Sequence, residues 1–453
     1  MPGRAGIITR TFLRRWAGAL PRARFGFAPQ AARRAAFAEA TRCALEELGP
    51  AFVKLGQVAS VRPDLVPPEY VFEFERLQDR VPPLPAEAIE AVITRELGKP
   101  LSVLFSEFER EPIAAASIAQ VHRATLATDV RPVVGDPMPA GTVVAVKVVR
   151  PGAAQLISAD LAEARRVLGR LDRLGLSKRL DAPALLEEFA CSLASELDLR
   201  NEGRVSDRFA HDFRDDPLVM TPRIAWSHTS RSVLTMEYVE GWRLVDLDNA
   251  ARAGVDSFRL ALHGAEVFMK QVLVLGRYHA DLHPANLFVT PDSRICYLDF
   301  GIIGTTTPDE RVNIAQVLAA TVYGDADRAL CYSAKLGLVV PPEKEQHVRE
   351  HVDSLMDRTL RVPGKPADIK GFATGFLSLM ADARVPIPAG YGLLVKALVT
   401  VEGCARSIYP EIDITHSAKP FATRLIAQHM ARPDRIAERI PAALRAALRE
   451  LAS

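Results

Sequence analysis

The chain has 453 residues, is 48% hydrophobic and 25% charged, and carries a formal net charge of +2. This length and composition are typical of a soluble globular protein with more than one domain. A net charge so close to zero gives no general electrostatic signal for nucleic acid, so we expect no nucleic-acid partner.

The first 38 residues form a basic arm, which contains eight arginines and has no acidic residue before Glu39. Aromatic side chains are interleaved with these arginines, at Phe12, Trp16, Phe25 and Phe27. Three interpretations of the arm stay open: a segment lying on an anionic membrane surface, a packed or partly disordered extension, and a transit peptide.

The five cysteines are scattered along the chain and include no C-x-x-C pair. The sequence therefore predicts neither a zinc site nor a disulfide framework, and it favours a reducing compartment. We find no run of about 18 uncharged apolar residues and no apolar signal-peptide segment, so no membrane-spanning helix is predicted. The expected location is the cytoplasm, with peripheral contact to the inner face of the membrane left open.

In chain order, the sequence predicts a basic arm, a helical extension, a mixed lobe, a helical lobe and an amphipathic terminal helix, over residues 1–38, 39–100, 101–240, 241–430 and 431–453. A small mixed lobe followed by a larger helical lobe is an α+β fold. The terminal helix has one apolar face, which fits either docking on the domain or contact with a membrane; its residues are Ile436, Ile440, Leu444, Leu448 and Leu451.

Three predicted elements of the mixed lobe carry candidate site residues. A valine-rich strand covers 142–149, and a long helix opens at Asp181 and Pro183 and runs to about 209. A second strand covers 231–239 and ends before Gly241.

The most specific pattern lies in the helical lobe: His279-Ala280-Asp281, then Asn286, then Asp299-Phe300-Gly301. Five residues separate Asp281 from Asn286, and thirteen separate Asn286 from Asp299. This spacing is typical of a protein-kinase-like catalytic loop, in which one Asp faces the phosphoryl acceptor while the Asn and the second Asp hold magnesium. The sequence therefore predicts that Asp281 orients or deprotonates the nucleophile and that Asn286 and Asp299 bind Mg²⁺.

Lys147 lies inside the valine-rich strand, in Val-Ala-Val-Lys. A buried ammonium needs a counter-charge, and in kinases this lysine reaches the nucleotide phosphates and pairs with a helix glutamate. We expect Glu196, on the predicted 183–209 helix, to be that partner, with Glu202 as the alternative. The opposing interpretation makes Lys147 a surface residue of an edge strand.

The segment expected to cover the nucleotide contains alanines where glycines are usual, because no G-x-G-x-x-G precedes Lys147. Alanine favours helix or regular turns and lacks the conformational freedom of glycine. The residues assigned to this covering segment are Ala114, Ala115, Ala116, Ser117, Ala119 and Gln120. Glu237 and Val239, near the end of the strand over 231–239, complete the predicted nucleotide contacts.

These motifs together resemble the ABC1/AarF/UbiB (ADCK-like) family of atypical protein-kinase-like proteins. The resemblance covers roughly residues 40–310 and rests on four motifs: Lys54-Leu55-Gly56-Gln57, like the family's KxGQ motif; the alanine-rich segment ending in Gln120; Glu196-Leu197-Asp198, like its ExD motif; and the two catalytic strings described above. Ala285 departs from the family pattern, in which glycine is more frequent.

The resemblance implies a two-lobe kinase-like fold with an N-terminal KxGQ extension that packs over the active site and blocks peptide access. It also implies ATP with a divalent metal as cofactor, and a link to isoprenoid-quinone biosynthesis or lipid homeostasis at membranes. By this resemblance, Lys54 and Gln57 face the nucleotide pocket near the Glu196 and Asp198 end. Some bacterial relatives end in two membrane-spanning helices, whereas this tail is only amphipathic.

Three functions follow as hypotheses. The first is an Mg²⁺-ATP-dependent phosphotransferase or ATPase acting in a lipid-linked process, with an anionic lipid or a quinone precursor as partner. The second is a nucleotide-gated scaffold without turnover. The third is a protein kinase, which is disfavoured because no Ala-Pro-Glu and no long substrate-docking segment follow Asp299. The oligomeric state stays open.

Overall fold

We analysed a computed structural model, which describes residues 4–24, 30–60, 68–74, 76–77, 82–116, 118–173, 182–244, 255–280, 282 and 284–430. The chain divides into two compact units. The N-terminal unit comprises Met1–Gly241 together with Cys296–Gly301, and the C-terminal unit comprises Trp242–Ile295 together with Ile302–Ser453.

The N-terminal unit is built on a five-stranded antiparallel sheet in the order β1-β3-β4-β6, with β2 paired to β3. Its strands are β1 (Phe105–Phe108), β2 (Ala114–Ala115), β3 (Ala119–Leu126), β4 (Val143–Val149) and β6 (Val233–Glu237), and a short strand β5 (Val219–Met220) precedes β6. Because Lys147 lies opposite Val121 on β3 and Leu234 on β6, it belongs to an internal strand. The edge-strand interpretation of Lys147 is therefore wrong.

Helices surround this sheet and form the N-terminal extension: α1 (Arg4–Arg24), α2 (Gln30–Leu48), α3 (Pro50–Ser60), α4 (Pro68–Phe74), α5 (Ala86–Leu97), α6 (Leu101–Leu104), α7 (Ala153–Arg173), α8 (Ala182–Glu196) and α9 (Leu199–Asp212). Ala51 of α3 belongs to the same buried cluster as Ile157 of α7, Leu193 of α8 and Leu234 of β6. The KxGQ helix α3 is thus part of the core of this unit.

The described part of the basic arm is a packed helix. Arg4 of α1 donates 2.8 Å hydrogen bonds to the carboxylate of Asp160, which is buried on α7, and to the backbone oxygen of Leu48. The Trp16 indole donates to the Thr41 hydroxyl at 3.0 Å. For Arg4–Arg24 the structure therefore supports the packed-extension interpretation.

The single helix predicted over 183–209 is wrong, because the chain breaks between α8 and α9. Asp198 is the N-cap of α9, and its side chain accepts a hydrogen bond from the Arg200 backbone N–H at 3.2 Å. An aspartate in this position satisfies donors that a starting helix leaves free, so it favours a new helix over continuation of the old one. Glu196 and Glu202 consequently lie on two different helices.

The described residues of the alanine-rich segment form a hairpin. Ala114 and Ala115 make β2, which pairs with β3, and the Ala116 backbone N–H donates to the Ala119 oxygen at 2.8 Å. The tertiary pairing with β3 overrides the helical preference of alanine here. In the connection between β3 and β4, Val130 and Met138 form an antiparallel bridge.

The C-terminal unit is mainly helical, with α10 (Ser257–Lys270), α11 (Pro308–Tyr323), α12 (Ala326–Lys335), α13 (Pro342–Thr359), α14 (Ile369–Asp382), α15 (Ala389–Ile408) and α16 (Thr415–Met430). Its short strands pair antiparallel as β7 (Trp242–Arg243) with β9 (Leu287–Val289), and β8 (Arg277–His279) with β11 (Ile303–Thr305). Strand β10 (Ile295–Tyr297) lies at the boundary of the two units.

Within the part of the chain that the structure describes, no helix has the length and hydropathy needed to span a membrane. The amphipathic helix predicted over 431–453 lies outside the described residues.

His122 of β3 is a buried ring whose contacts suit only its neutral form. Nδ1 lies 2.8 Å from the Glu109 backbone oxygen, and Nε2 lies 2.9 Å from the Gln120 side-chain nitrogen. Burial lowers the pKa of His122, although the Glu109 carbonyl and the Glu90 carboxylate act in the opposite direction. The folded-state pKa of His122 is below its unfolded value. The neutral ring therefore contributes stability above about pH 6.5, and this contribution is lost as the pH falls.

We predict that the free energy of unfolding, measured by urea denaturation, falls by about 1 kcal/mol more in the wild type than in His122→Asn when the pH drops from about 7.5 to about 5.5. His351→Asn, at an exposed histidine, is the matched control and should retain the wild-type pH dependence. An identical pH dependence in all three proteins would contradict a buried neutral His122.

Candidate functional site

Lys147 and Glu202 form an ion pair at the centre of the N-terminal unit. The Lys147 Nζ lies 2.7 Å from each carboxylate oxygen of Glu202. The two side chains are 20% and 12% exposed, so both charges are largely withdrawn from solvent. Strand β4 supplies the lysine and the first turn of α9 supplies the glutamate, which is therefore held where the helix dipole favours a negative charge.

The expectation that Glu196 pairs with Lys147 is corrected by this geometry. Glu196 ends α8 and lies 2.6 Å from the Nζ of Lys54 on α3. The break at Asp198 is the physical reason, because it turns the chain so that Glu202 reaches the lysine of the sheet. The contact of Lys54 with Glu196 agrees with the position that the family resemblance implies for Lys54.

Gly56, in the same motif, permits the close packing of α3. A Cβ at this position would lie 2.2 Å from a Leu77 methyl carbon and 2.9 Å from a Leu45 methyl carbon. The neighbouring Gln57 donates its side-chain N–H to the Leu77 backbone oxygen at 3.5 Å. The KxGQ residues therefore join α3 to both α8 and the segment that follows α4.

Asp299 acts electrostatically on the Lys147–Glu202 pair. Burial disfavours the charged ammonium, but the carboxylates of Glu202, Asp299 and Glu196 together raise the pKa of Lys147. Burial, reinforced by Asp299 and Glu196, raises the pKa of Glu202 against the opposing effect of Lys147. Lys147 thus stays protonated, and the carboxylates around it repel one another.

The carboxylates around Lys147 are the groups that could bring a metal cation to this site. Glu202 pairs with Lys147, Glu196 pairs with Lys54, and Asp299 lies close enough to act on the Lys147 charge. No group of three or more metal-ligating side chains is preassembled among the described residues. Mg²⁺ needs none, since it commonly takes one or two carboxylates and completes its shell with phosphate oxygens and water.

An aromatic cluster connects Asp299 to the helix that carries Glu202. The Phe300 ring lies 5.2 Å from the Phe209 ring of α9, and Phe209 also contacts Tyr297 at 4.7 Å and Phe213 at 4.6 Å. Phe300 and Tyr297 are 3% and 1% exposed. Rigid packing of these rings fixes the Asp299 backbone relative to α9.

Gly203, next to Glu202, lets α9 approach the sheet. A Cβ at this position would lie 3.1 Å from the Trp226 ring and 3.2 Å from a Leu234 methyl carbon on β6. Trp226 is itself held by a 2.7 Å hydrogen bond from its indole N–H to Asp207 of α9. The small residue and the tryptophan together set the distance between Glu202 and the strand of Lys147.

Gln120 has a structural role in this conformation, contrary to the expectation that its side chain contacts the nucleotide. Its amide oxygen accepts the Leu84 backbone N–H at 2.9 Å, its amide nitrogen donates to the Leu84 oxygen at 3.3 Å, and the side chain is fully buried. Arg150 adds a second link, to the Ala116 and Pro82 oxygens at 3.2 and 3.0 Å. The hairpin is thereby tied to the 82–85 segment.

The other predicted nucleotide contacts are placed as follows. Ala114 is exposed and Ala115 and Ala116 are half-buried, whereas Ser117 lies outside the described residues. The Glu237 carboxylate is engaged by the Arg223 guanidinium at 2.8 and 2.6 Å, and Val239 is half-buried. Their contact with a nucleotide stays a prediction.

In the C-terminal unit, the residues at the start of the predicted catalytic loop are held by buried polar contacts. A π-helical turn, Gln271–Leu275, follows α10, and the Gln271 side-chain oxygen accepts the His279 backbone N–H at 2.9 Å. Ala280 donates its N–H to the Ile302 oxygen at 3.0 Å. Asn286 ends a 3₁₀ turn and is half-buried, whereas Asp281 lies outside the described residues.

Sequence reasoning missed Gln271, Phe209 and the primary role of Glu202. The signal for Glu202 was present, because an aspartate four residues earlier marks a helix start. Gln271 directly follows α10 without a break in the helical pattern, so no local signal marks its role. Phe209 contacts residues about ninety positions away, so no local signal marks its role either.

We predict distinct consequences for the two glutamates. Glu196→Gln should weaken the link between α3 and α8 and increase amide hydrogen exchange in α3, whereas Glu202→Gln should leave α3 exchange unchanged. Each substitution leaves a partly buried ammonium with a weaker partner, so each should cost about 1–3 kcal/mol of unfolding free energy. The two variants are matched controls, and faster α3 exchange in Glu202→Gln but not in Glu196→Gln would contradict the assigned pairs.

Comparison with known protein families gives two matches along the chain. Residues 76–333 match the ABC1 atypical kinase-like domain, and residues 352–413 match the UbiB helical domain. The first match covers more than half of the sequence and includes Lys147, Glu202 and Asp299.

Similar proteins occur in distant organisms. The chain is 35% identical over 385 residues to a probable protein kinase UbiB of Marinobacter nauticus, an alignment that covers 84% of this chain and 68% of that protein. It is 33% identical over 398 residues to the chloroplastic protein ACTIVITY OF BC1 COMPLEX KINASE 7 of Arabidopsis thaliana, covering 88% of this chain but 56% of that protein. The chain therefore spans little more than half the length of the plant relative.

A solved structure shares the fold. It is described as the complex of Rv3197 with erythromycin from Mycobacterium tuberculosis, and it matches with a TM-score of 0.54 and 23% identity over 83% of this chain and 93% of that chain. At this identity the likeness concerns the fold alone, and this chain has a mixed helix and sheet fold with a helical C-terminal region. The two domain matches and the bacterial relative show that the chain belongs to the ABC1/UbiB family of atypical kinase-like proteins.

Proposed function

We propose that this protein is an Mg²⁺-ATP-dependent phosphotransferase or ATPase that supports isoprenoid-quinone biosynthesis or lipid homeostasis at a membrane. The observation that carries the proposal is the ion pair of Lys147 with Glu202 beside Asp299. A lysine held charged beside a further carboxylate is suited to a metal-nucleotide complex, because the lysine can neutralise phosphate charge and the carboxylate can hold a metal. The quinone assignment rests on the family resemblance, and the similarity to a probable protein kinase UbiB of Marinobacter nauticus is in keeping with that resemblance.

Each residue has a defined role in this proposal. Lys147, oriented by Glu202, neutralises nucleotide phosphate charge, and Asp281 orients or deprotonates the attacking hydroxyl or water. Asp299 and Asn286 would hold Mg²⁺, which neutralises charge on the transferred phosphoryl group. Glu196 holds Lys54. The nucleotide is contacted by the backbone of the alanine-rich hairpin and of Glu237 and Val239.

Loss of the Asp299 carboxylate should abolish turnover. We predict that purified protein hydrolyses Mg²⁺-ATP, that anionic liposomes raise the rate, and that Asp299→Asn lowers it by at least about 100-fold, because removal of one preorganised charged group typically costs this much. Phosphate release in steady state is the measurement. Asp215→Asn, at a carboxylate whose side chain is 91% exposed, is the matched control and should keep the wild-type rate.

Two outcomes would redirect the assignment. If the wild type shows no turnover but ATP still raises its melting temperature, the protein would be assigned as a nucleotide-gated scaffold. Transfer of phosphate to a defined protein, in preference to water or a small molecule, would revive the protein-kinase hypothesis that the missing substrate-docking segment disfavours.

The exposed face of α1 is our candidate for peripheral membrane contact. Ile7, Leu13 and Trp16 are 42%, 61% and 40% exposed, and the exposed Arg10 lies among them. No acidic residue occurs in α1, so this face combines apolar side chains with positive charge. Such a face favours the interface of an anionic bilayer.

Replacement of the apolar and basic side chains on this face of α1 should weaken lipid binding. We predict that Arg10→Glu with Leu13→Ser reduces co-sedimentation with anionic liposomes at least about threefold, since each basic residue near such a surface contributes about 1 kcal/mol. The ATP-induced rise in melting temperature should be unchanged, because these residues lie on the exterior of α1. Undiminished co-sedimentation would assign the membrane contact to another surface.

A further inference from the structure

The helical C-terminal unit contains an apolar cavity of about 140 Å³. Helices α10, α11, α14 and α15 and the start of α16 form its walls. Phe268 and Met269 of α10 line one side, and Val317 and Leu318 of α11 and Phe372 of α14 line others. All of these residues belong to the C-terminal unit, so the cavity is separate from the cluster around Lys147.

The size of this cavity is unusual for a protein core. Native interiors leave few voids larger than a water molecule, whose share of liquid volume is about 30 Å³. Two of the lining residues, Ala367 and Ala373, are buried alanines, so larger side chains at these positions would occupy the space. The void therefore follows from small residues at defined positions.

The walls exclude charged and strongly polar ligands. Among the described residues that line the cavity, none is charged, and Thr321, Tyr391 and Thr415 are the polar ones. The Tyr391 hydroxyl lies 3.3 Å from the Ser333 hydroxyl, and the Thr415 hydroxyl donates to Asp413 at 2.6 Å. With the Tyr391 and Thr415 hydroxyls engaged, the cavity offers water few polar partners, and apolar cavities of similar size stay dry.

The lining residues differ in accessibility from one side to the other. Phe268, Met269 and Val272 are almost completely buried, whereas Val317 and Leu394 are half-buried. The side of the cavity formed by α11 and α15 is therefore the less deeply buried one.

We propose that this cavity binds a compact hydrocarbon group of about the size of benzene. An engineered cavity of about 150 Å³ with leucine, isoleucine and phenylalanine walls binds benzene and xenon, and the volume and lining here are comparable. The group is either a free small hydrocarbon or the end of an amphiphile tail, because both present the same chemistry to these walls. The site is independent of nucleotide turnover.

The test is a comparison of the full-length wild type with Ala373→Leu, which fills the cavity, and Ala334→Leu, which makes the same change at an exposed helical position. Benzene should raise the melting temperature of the wild type and of Ala334→Leu, and calorimetry should show saturable binding. In Ala373→Leu the benzene affinity should fall at least tenfold. Ala367→Val is a second filling variant, and a cooperative thermal unfolding transition followed by circular dichroism reports whether each variant is folded.

Decanoate distinguishes the two sources of the hydrocarbon. Displacement of benzene by decanoate assigns the site to an amphiphile tail, and saturable benzene binding without displacement assigns it to a small hydrocarbon. Xenon located between Phe268, Val317 and Phe372 in a pressurised crystal would place the ligand directly. The proposal is overturned if benzene neither binds nor shifts the wild-type melting temperature, or if its affinity is undiminished in folded Ala373→Leu and Ala367→Val.

Discussion

The burial of one positive charge constrains the N-terminal unit. Lys147 lies on an internal strand between β3 and β6, where an unpaired ammonium would be strongly unfavourable. Glu202 provides the countercharge at 2.7 Å, and the position of α9 follows from this requirement. Gly203 allows the helix to come close enough, and Trp226 fills the remaining space. Asp299 adds a further negative charge near this pair and helps to keep Lys147 protonated.

Two glutamates six residues apart serve different lysines because a helix ends between them. Asp198 caps α9 and leaves Glu196 at the end of α8, where it meets Lys54 of the N-terminal extension. The short ExD segment thereby links the extension to the sheet and its lysine. An uninterrupted helix would place residues 196 and 202 about 600° apart, or 120° around the axis, and would point one of them away from the cluster. The break is thus a condition for assembling all the charges in one place.

Local signals predicted the strand of Lys147, the family and the residue types of the site, because hydrophobic period and motif spacing are encoded over short distances. They misplaced the partner of Lys147, since the apolar periodicity of residues 183–209 outweighed the capping signal of Asp198. Gln120 could not be interpreted from the sequence, because its partner Leu84 lies 36 residues away. The aromatic contacts of Phe300 with Phe209 depend on tertiary packing in the same way.

The alanine-rich hairpin changes how phosphate charge must be met in the proposed function. A glycine-rich loop can offer several free backbone N–H groups to a phosphate, since glycine lets the backbone approach closely. Here Ile113 donates its N–H to the Val121 oxygen at 2.9 Å and Ala116 donates its own to the Ala119 oxygen at 2.8 Å, so both are used within the hairpin. Arg150 and Gln120 further tie this segment to residues 82–85. In the proposed function, the neutralisation of nucleotide charge would therefore depend less on backbone amides and more on Lys147 and on a metal that Asp299 would hold.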